Sequence, residues 1–343
     1  MRALLEEDPS ASFRFWGGEK MQAVGGELVT HYQDMAFMGF WEVFKNLRYI
    51  TQKMRFCKKD ILKYKPDAVI LIDYPGFNLR IAEFAKQQGF KVFYYISPQV
   101  WAWKSGRVEK IRTSVDRLFT ILPFEKAFFA ARNYEVSYVG HPLIDLIPPH
   151  TAPLNSRIIA VLPGSREQEI KVKLPVMLSL AKAFPQYTFC VAKAPGAKAE
   201  WYAALREVQD ASNVEVVDDS TYALLAKSHA AVVTSGTATL ETALFGVPQV
   251  VCYKGNPISY AIGKRVVKIK FISLVNLILN RALVTELIQD DLNPKQLAEA
   301  FSTICMEGAA RTAILEGYAE LRSLLGVGGA ATTTAKEIIR LLH

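Results

Sequence analysis

Ser235-Gly236-Thr237-Ala238-Thr239-Leu240-Glu241 lies between an apolar run, Ala230 to Val233, and a helix-like segment that ends at Phe245-Gly246. A second apolar run, Val250 to Cys252, follows Pro248, so the order reads strand, tight loop, helix, strand. A Ser-Gly-Thr turn leaves backbone N–H groups unpaired at the helix N-terminus, where the peptide dipoles are positive and a phosphate fits. Glu241 follows one turn in, placed for its carboxylate to take two hydrogen bonds from a ribose diol. The pattern suits a nucleoside diphosphate. It equally suits Ser235 and Thr237 as helix caps with Glu241 completing a capping box.

Leu162-Pro163-Gly164-Ser165-Arg166-Glu167 repeats the theme after another apolar run. Gly164 and Ser165 let the backbone approach an anion, and the planar fork of Arg166 can bracket a pyrophosphate. Asp73 closes the run Ile70-Leu71-Ile72 ahead of Pro75-Gly76. A carboxylate at the carboxyl end of a parallel strand can act as general base toward a hydroxyl, or it can cap the helix beginning near Phe77. Ser97, Gln99, Trp101 and Trp103 share one loop after a further strand, where the two indoles can stack on a sugar face, line an acyl pocket or pack in a core. His141, in Gly140-His141-Pro142, can reach a phosphate or serve as a structural donor. From Met38 a helical pattern carries Phe40, Trp41 and Phe44 among Lys45, Arg48, Lys53, Arg55, Lys58 and Lys59. That mixture fits a helix lying on a membrane surface or a core-facing stripe with a solvated basic back.

These residues need a frame. Strand-like runs at Val69 to Ile72, Lys91 to Ile96, Arg117 to Ile121 and Val136 to Val139 alternate with helical patterns in the first half. Arg157 to Leu162, Tyr187 to Ala192, Val214 to Val217, Ala230 to Thr234 and Gln249 to Cys252 do the same in the second. Alternation of this kind predicts an α/β protein with parallel sheets covered on both faces. The proline-rich stretch Pro142 to Pro153 divides the halves. The expected domains are therefore 1–145 and 157–328 around a linker at 146–156, and a final helix at 329–343 packing back on the first. Ligands of such a pair collect in the cleft at the strands' carboxyl ends.

The net charge of +8 predicts an anionic partner. Neither zinc-finger spacing nor an RNP-type aromatic motif is present, so nucleic acid is not expected. The absence of Gly-x-Gly-x-x-Gly after the first strand argues against a nicotinamide enzyme, and no cofactor is expected. Cys57, Cys190, Cys252 and Cys305 are dispersed, without CxxC spacing, and read as buried thiols of a reducing cytoplasm with no metal site. The N-terminus is too acidic for a signal peptide, and no apolar run reaches the length of a membrane span uninterrupted.

In order along the chain stand Ile-Asp-Tyr-Pro-Gly-Phe-Asn, Ile-Ser-Pro-Gln-Val-Trp-Ala-Trp-Lys, Leu-Pro-Phe-Glu-Lys, Val-Gly-His-Pro-Leu, Leu-Pro-Gly-Ser-Arg and Ser-Gly-Thr-Ala-Thr-Leu-Glu-Thr-Ala. This set resembles the lipid-A-disaccharide synthases over essentially the whole length, through Ser273 to Ile278 and Glu286 to Gln289. The resemblance implies two Rossmann-like domains of the GT-B type. It implies an inverting glycosyltransferase joining UDP-2,3-diacylglucosamine to 2,3-diacylglucosamine 1-phosphate, with UDP leaving without a divalent metal. By the same resemblance Asp73 is the candidate base, and Gly164, Ser165, Arg166, Ser235, Gly236, Thr237, Glu241 and Asn276 bind the donor. Ser97, Gln99, Trp101, Trp103 and His141 face the acceptor or its acyl chains. Phe40, Trp41, Phe44, Lys45 and Arg48 would meet the cytoplasmic membrane surface, with the enzyme peripheral on its inner face, and a homodimer is admitted.

Two other readings share the motifs: a different UDP-N-acetylglucosamine enzyme, such as a 2-epimerase, and an inactive membrane-binding remnant that still holds UDP. One departure bears on the fold. Family members begin with a strand and a glycine-rich Gly-Glu-Ala-Ser-Gly-Asp loop ahead of the helix that ends near Met1-Arg2-Ala3-Leu4. The first domain is therefore expected to lack a central strand, through either a late start codon or a shortened product.

Overall fold

The computed structural model describes residues 1–35, 47–103, 106–150, 156–194, 196–208, 212–218, 221–257, 260 and 269–343. Phe40, Trp41, Phe44 and Lys45 lie outside the described residues; Arg48 lies within them. The chain forms two compact units, Met1–Pro142 with Gly328–His343, and Leu143–Val327.

The first unit begins with α1 (Arg2–Glu7), β1 (Arg14–Gly17), α2 (Glu19–Gln22), β2 (Glu27–His31) and α3 (Leu47–Tyr64). It continues with β3 (Ala68–Ile72), α4 (Pro75–Gln87), β4 (Lys91–Tyr95), α5 (Arg107–Ser114), β5 (Arg117–Thr120), α6 (Pro123–Ala130) and β6 (Ser137–Tyr138). In α3, Ile50, Met54, Cys57 and Ile61 recur at helical spacing, and Met54 and Cys57 are buried on α4 and its strands. On the opposite side Arg48, Arg55, Lys59 and Lys63 form an exposed basic stripe. Strands β1 and β2 escape a hydropathy reading because their faces carry charge. Arg14 of β1 pairs with Glu27 of β2 and forks onto Asp60 of α3, with Nε 2.9 Å and Nη2 2.7 Å from its carboxylate oxygens.

All strand pairs of the first unit are parallel, yet they form two sheets. One is β1-β2 and the other β3-β4-β5-β6. Among the described residues no strand lies against the outer edge of β3 or the second edge of β1. Asp73 N–H donates to the Tyr95 carbonyl at 3.0 Å, so by alternation Val69 and Leu71 also face β4. Ala68, Ile70 and Ile72 direct their backbone groups to the open side. There the Asn78 amide caps the Ile72 carbonyl at 3.1 Å, and Ile72 is 47 % exposed. Among the described residues the parallel strands of the first unit thus stand as two separate sheets.

The second unit runs α7 (Leu143–Leu146), β7 (Ile158–Leu162), α8 (Glu167–Ala183), β8 (Thr188–Lys193), β9 (Val214–Asp218), α9 (Thr221–Leu225), β10 (Ala230–Thr234) and α10 (Thr237–Leu244). Then come β11 (Gln249–Tyr253), α11 (Leu274–Leu279), β12 (Thr285–Ile288), α12 (Pro294–Cys305) and α13 (Ala309–Leu325). Its six strands are parallel in the order β12-β11-β10-β7-β8-β9, the doubly wound arrangement. Every residue of β10 is buried, as a central strand covered on both faces requires. Leu143–Leu146 is a helical turn of this unit, because Leu143 and Ile147 bury their side chains one turn apart.

The chain then returns to the first unit in α14 (Ala330–Leu342). Ala330, Ala335 and Ile338 share one cluster with Leu4 of α1, Phe93 and Phe119. Glu337 takes the Ser137 hydroxyl at 2.8 Å and Arg117 at 3.0 Å.

The open edge of β3 makes a direct prediction. Amide hydrogens of Ala68, Ile70 and Ile72 should exchange about 10-fold or more faster than those of Val69 and Leu71, since only the latter are held in the ladder. Equal protection measured residue by residue would mean that the edge is covered.

Candidate functional site

In the second unit β7 and β10 are neighbours although β8 and β9 intervene in sequence, and Leu162 pairs in register with Val233. The two glycine-containing loops therefore leave the sheet side by side at its topological switch point, where open α/β sheets bind ligands. Gly164 has φ +122°, and a Cβ there would lie 2.5 Å from Glu169 Oε2, so only glycine fits. Arg166 precedes the first turn of α8; its Nη1 is 3.0 Å from Glu169 Oε1, and its side chain is 59 % exposed.

Gly236 is the N-cap of α10 at φ +137° and ψ −160°, a conformation essentially confined to glycine. No side chain caps this helix. The Ser235 hydroxyl instead donates to the Ile272 carbonyl at 2.9 Å, and Glu241 accepts from the Tyr222 hydroxyl at 2.8 Å. The alternative of a capping box is thereby removed. Among the described residues the N–H groups of Gly236, Thr237 and Ala238 keep no partner, so the helix terminus is open to an anion.

Asn276 is tied into the protein by all of its side-chain polar groups. It is buried, its amide donates to the Val284 carbonyl and Glu286, and its oxygen accepts from the N–H groups of Leu283 and Val284 at 2.8 and 3.0 Å. Glu286 also accepts from Ile272 N–H, Ser273 N–H and the Ser273 hydroxyl, at 2.9, 2.9 and 2.7 Å. These two residues fix the segment whose Ile272 carbonyl anchors Ser235. Sequence reasoning placed Asn276 near the nucleotide and gave Glu286 no task; an acid behind a Ser-x-x-Asn turn is the signal that could have found it.

In the first unit the candidate residues line the carboxyl ends of β3 to β6. Asp73 and Tyr74 both adopt left-handed backbone, at φ +45° and +47°, and Ile96 does so at +65° after β4. Such non-glycine conformations cost about 1–3 kcal/mol each and persist where surrounding bonds impose them. The Asp73 carbonyl receives the Tyr94 hydroxyl at 2.6 Å and the Asn78 amide at 2.7 Å. Asp73 is not the cap of α4, whose N-cap is Tyr74. Desolvation raises the Asp73 pKa above the usual aspartate value, against a lowering contribution from the Tyr74 N–H.

Ser97 is buried and donates to the Pro98 carbonyl, whereas Gln99 and Trp103 are exposed. Trp101 sits edge-on to Phe124, with ring centroids 4.9 Å apart. Beneath them Glu125 accepts from the Leu122 and Ile121 N–H groups at 3.0 and 3.3 Å and also faces the Ser97 hydroxyl and the Trp101 indole N–H. Its burial pushes the carboxyl up to about 7. His141 is buried, and desolvation lowers its pKa to about 4.

The family model described as lipid-A-disaccharide synthetase matches residues 1–321. The chain belongs to the lipid-A-disaccharide synthase family. It is 38 % identical over 354 residues to the synthase of Syntrophus aciditrophicus, covering 99 % of this chain and 92 % of the relative. The synthase of Trichlorobacter lovleyi is 36 % identical over 357 residues, covering 100 % and 93 %. Members of the family are glycosyltransferases of lipid A biosynthesis, and this chain is one. Its fold is also that of more distant solved structures. A UDP-GlcNAc 2-epimerase from Neisseria meningitidis aligns with TM-score 0.61 at 15 % identity, over 94 % of this chain and 87 % of the other. The glycosyltransferase of kitacinnamycin aligns with TM-score 0.65 at 14 % identity, over 99 % and 94 %.

Substituting Gly236→Ala in this synthase-family chain forces a Cβ into backbone that L-residues avoid, at a cost of about 1–3 kcal/mol unless the turn relocates. Calorimetry should show UDP affinity at least about 10-fold weaker, with the far-UV spectrum retained. Unchanged affinity would place the anion elsewhere.

Proposed function

We propose that the chain transfers the 2,3-diacylglucosamine unit of its UDP ester to 2,3-diacylglucosamine 1-phosphate, with inversion, giving a β-1,6-linked disaccharide and UDP. What carries the reading is the pair of anion-accepting loops opening side by side at one switch point, in a chain of this family. The UDP-GlcNAc in the Neisseria epimerase structure supports a nucleotide sugar as the ligand class for this fold. Gly164, Ser165 and Arg166 meet the diphosphate from one side, and Gly236 and Thr237 meet it from the other. As the sugar–phosphate bond breaks, the open N–H groups and the guanidinium offset the charge growing on UDP. Glu241 takes the ribose diol, with Tyr222 occupying one carboxylate oxygen and so fixing its rotamer.

Asp73 removes the proton of the attacking acceptor hydroxyl. A carboxylate made more basic by desolvation is suited to this, provided it is ionised. Ser97, Gln99, Trp101 and Trp103 receive the acceptor sugar and its acyl chains, and His141 donates a hydrogen bond. Among the described residues no helix is long and apolar enough to cross a membrane. The stripe of Arg48, Arg55, Lys59 and Lys63, flanked by exposed Tyr49, Phe56 and Leu62, fits the anionic surface that holds acylated substrates.

Asp73→Asn should retain UDP binding and lower kcat by roughly two to four orders of magnitude. In the parent enzyme the acid limb of kcat should lie above the usual aspartate range, because the raised pKa leaves the base protonated until higher pH. Near-normal turnover by the variant would remove Asp73 from the mechanism.

Replacing Arg48, Arg55, Lys59 and Lys63 by Glu should move the protein from pellet to supernatant in sedimentation with anionic liposomes. Activity on detergent-dispersed substrates should survive. Continued sedimentation of the folded variant would show that another surface docks.

A further inference from the structure

Glu169 lies at the start of α8 with cations on both sides. Its Oε1 is 3.0 Å from Arg166 Nη1, and its Oε2 is 3.9 Å from Lys173 Nζ. The same Oε2 occupies the space a Gly164 side chain would need. Lys173 stands one turn further along the same helix face, and its side chain is only 2 % exposed. Its ammonium donates to the hydroxyl of Thr234, the last residue of β10 before the Ser235 loop. A continuous line of contacts, Arg166–Glu169–Lys173–Thr234, thus runs beneath both anion loops.

The two cations differ in what they can do. Arg166 is more than half exposed and can turn to a ligand. Lys173 is shut inside and cannot touch one. Keeping an ammonium there is costly, and burial lowers its pKa; Glu169 and Cys252 act to retain the charge, while Arg166 opposes it. Without Lys173, Glu169 would have Arg166 as its principal counter-ion. Moving Arg166 to a diphosphate would then leave a carboxylate uncompensated against the Gly164 backbone.

We propose that Lys173 is a positioning residue that frees Arg166 for the diphosphate: it neutralises Glu169 from the buried side, so the guanidinium can exchange the carboxylate for phosphate oxygens. The proposal rests on the reading that these loops hold a diphosphate. It assigns Glu169 the part of a parking site for Arg166 in the unliganded protein.

The test is a double-mutant cycle read by calorimetry, with UDP and uridine as probes on the full chain. Lys173→Met should weaken UDP about 10-fold, within the range by which contacting charges couple, and leave uridine affinity unchanged. Glu169→Gln should bind UDP at least as tightly as the parent. The double variant should return to within about 3-fold of Glu169→Gln, because no carboxylate remains to retain Arg166. If Lys173→Met melts too low to assay, Lys173→Gln, which keeps a donor toward Thr234 but no charge, should show the same loss. Parent-like UDP binding by the lysine variants overturns the proposal. So does a loss that persists in the double variant, or one shared equally by uridine, since each marks a packing role. Failure of the parent chain to bind UDP would instead remove the diphosphate reading itself, and this inference with it.

Discussion

The parallel pairing of β7 with β10 is the constraint on which the second unit depends. Two strands that are distant in sequence become neighbours, and each sends its following helix away from the shared line. Neither loop can then be covered by the other's helix. Their register sets Leu162 level with Val233, so the turns at Gly164 and Gly236 start at the same height. Had the sheet followed sequence order, these would be two ordinary strand–helix turns on opposite sides of a subdomain. The backbone conformations that only glycine supplies are the local expression of that global pairing.

Loops at the carboxyl ends of parallel strands leave N–H groups that no further strand can accept, and buried ones are costly to leave unmet. The chain answers repeatedly with a glutamate from a neighbouring element. Glu286 gathers Ile272, Ser273 and Asn276; Glu125 gathers Ile121 and Leu122 and faces Ser97 and Trp101. Each carboxylate turns an irregular segment into one with a fixed shape, which is what a rigid polar site requires. The donor N–H groups left open at α10 stand out against this background of satisfied ones.

Most of the second unit was legible in the sequence because its strands are buried on both faces and read as uninterrupted apolar runs, Ala230 to Thr234 above all. The strands that escaped, β1, β2 and β12, carry charge on one face: Arg14, Glu27 and Glu286 are ladder residues that hydropathy scores as loop. Asp73, Arg166 and the Ser235 loop were singled out because their residue types advertise chemistry at strand ends. Lys173, Tyr222 and Glu125 were not, since a lysine, a tyrosine or a glutamate within a helix is unremarkable until tertiary structure buries it beside a particular partner. Asn276, placed near the nucleotide by its motif, is buried, and its amide holds the Val284 carbonyl and Glu286.

The return of α14 to the first unit also orders events in time. On the ribosome, residues 143–327 emerge as an unbroken segment and can close their own core as soon as they are released. The first unit, although synthesised earlier, must wait: Phe93 and Phe119 keep one side uncovered until Ala330, Ala335 and Ile338 arrive. During that interval an apolar sheet face is available to other chains, as is the edge of β3 that no strand covers among the described residues. Demand for a holdase chaperone should therefore be set by the time taken to translate the second unit, and slow codons within it would lengthen the exposure of the first.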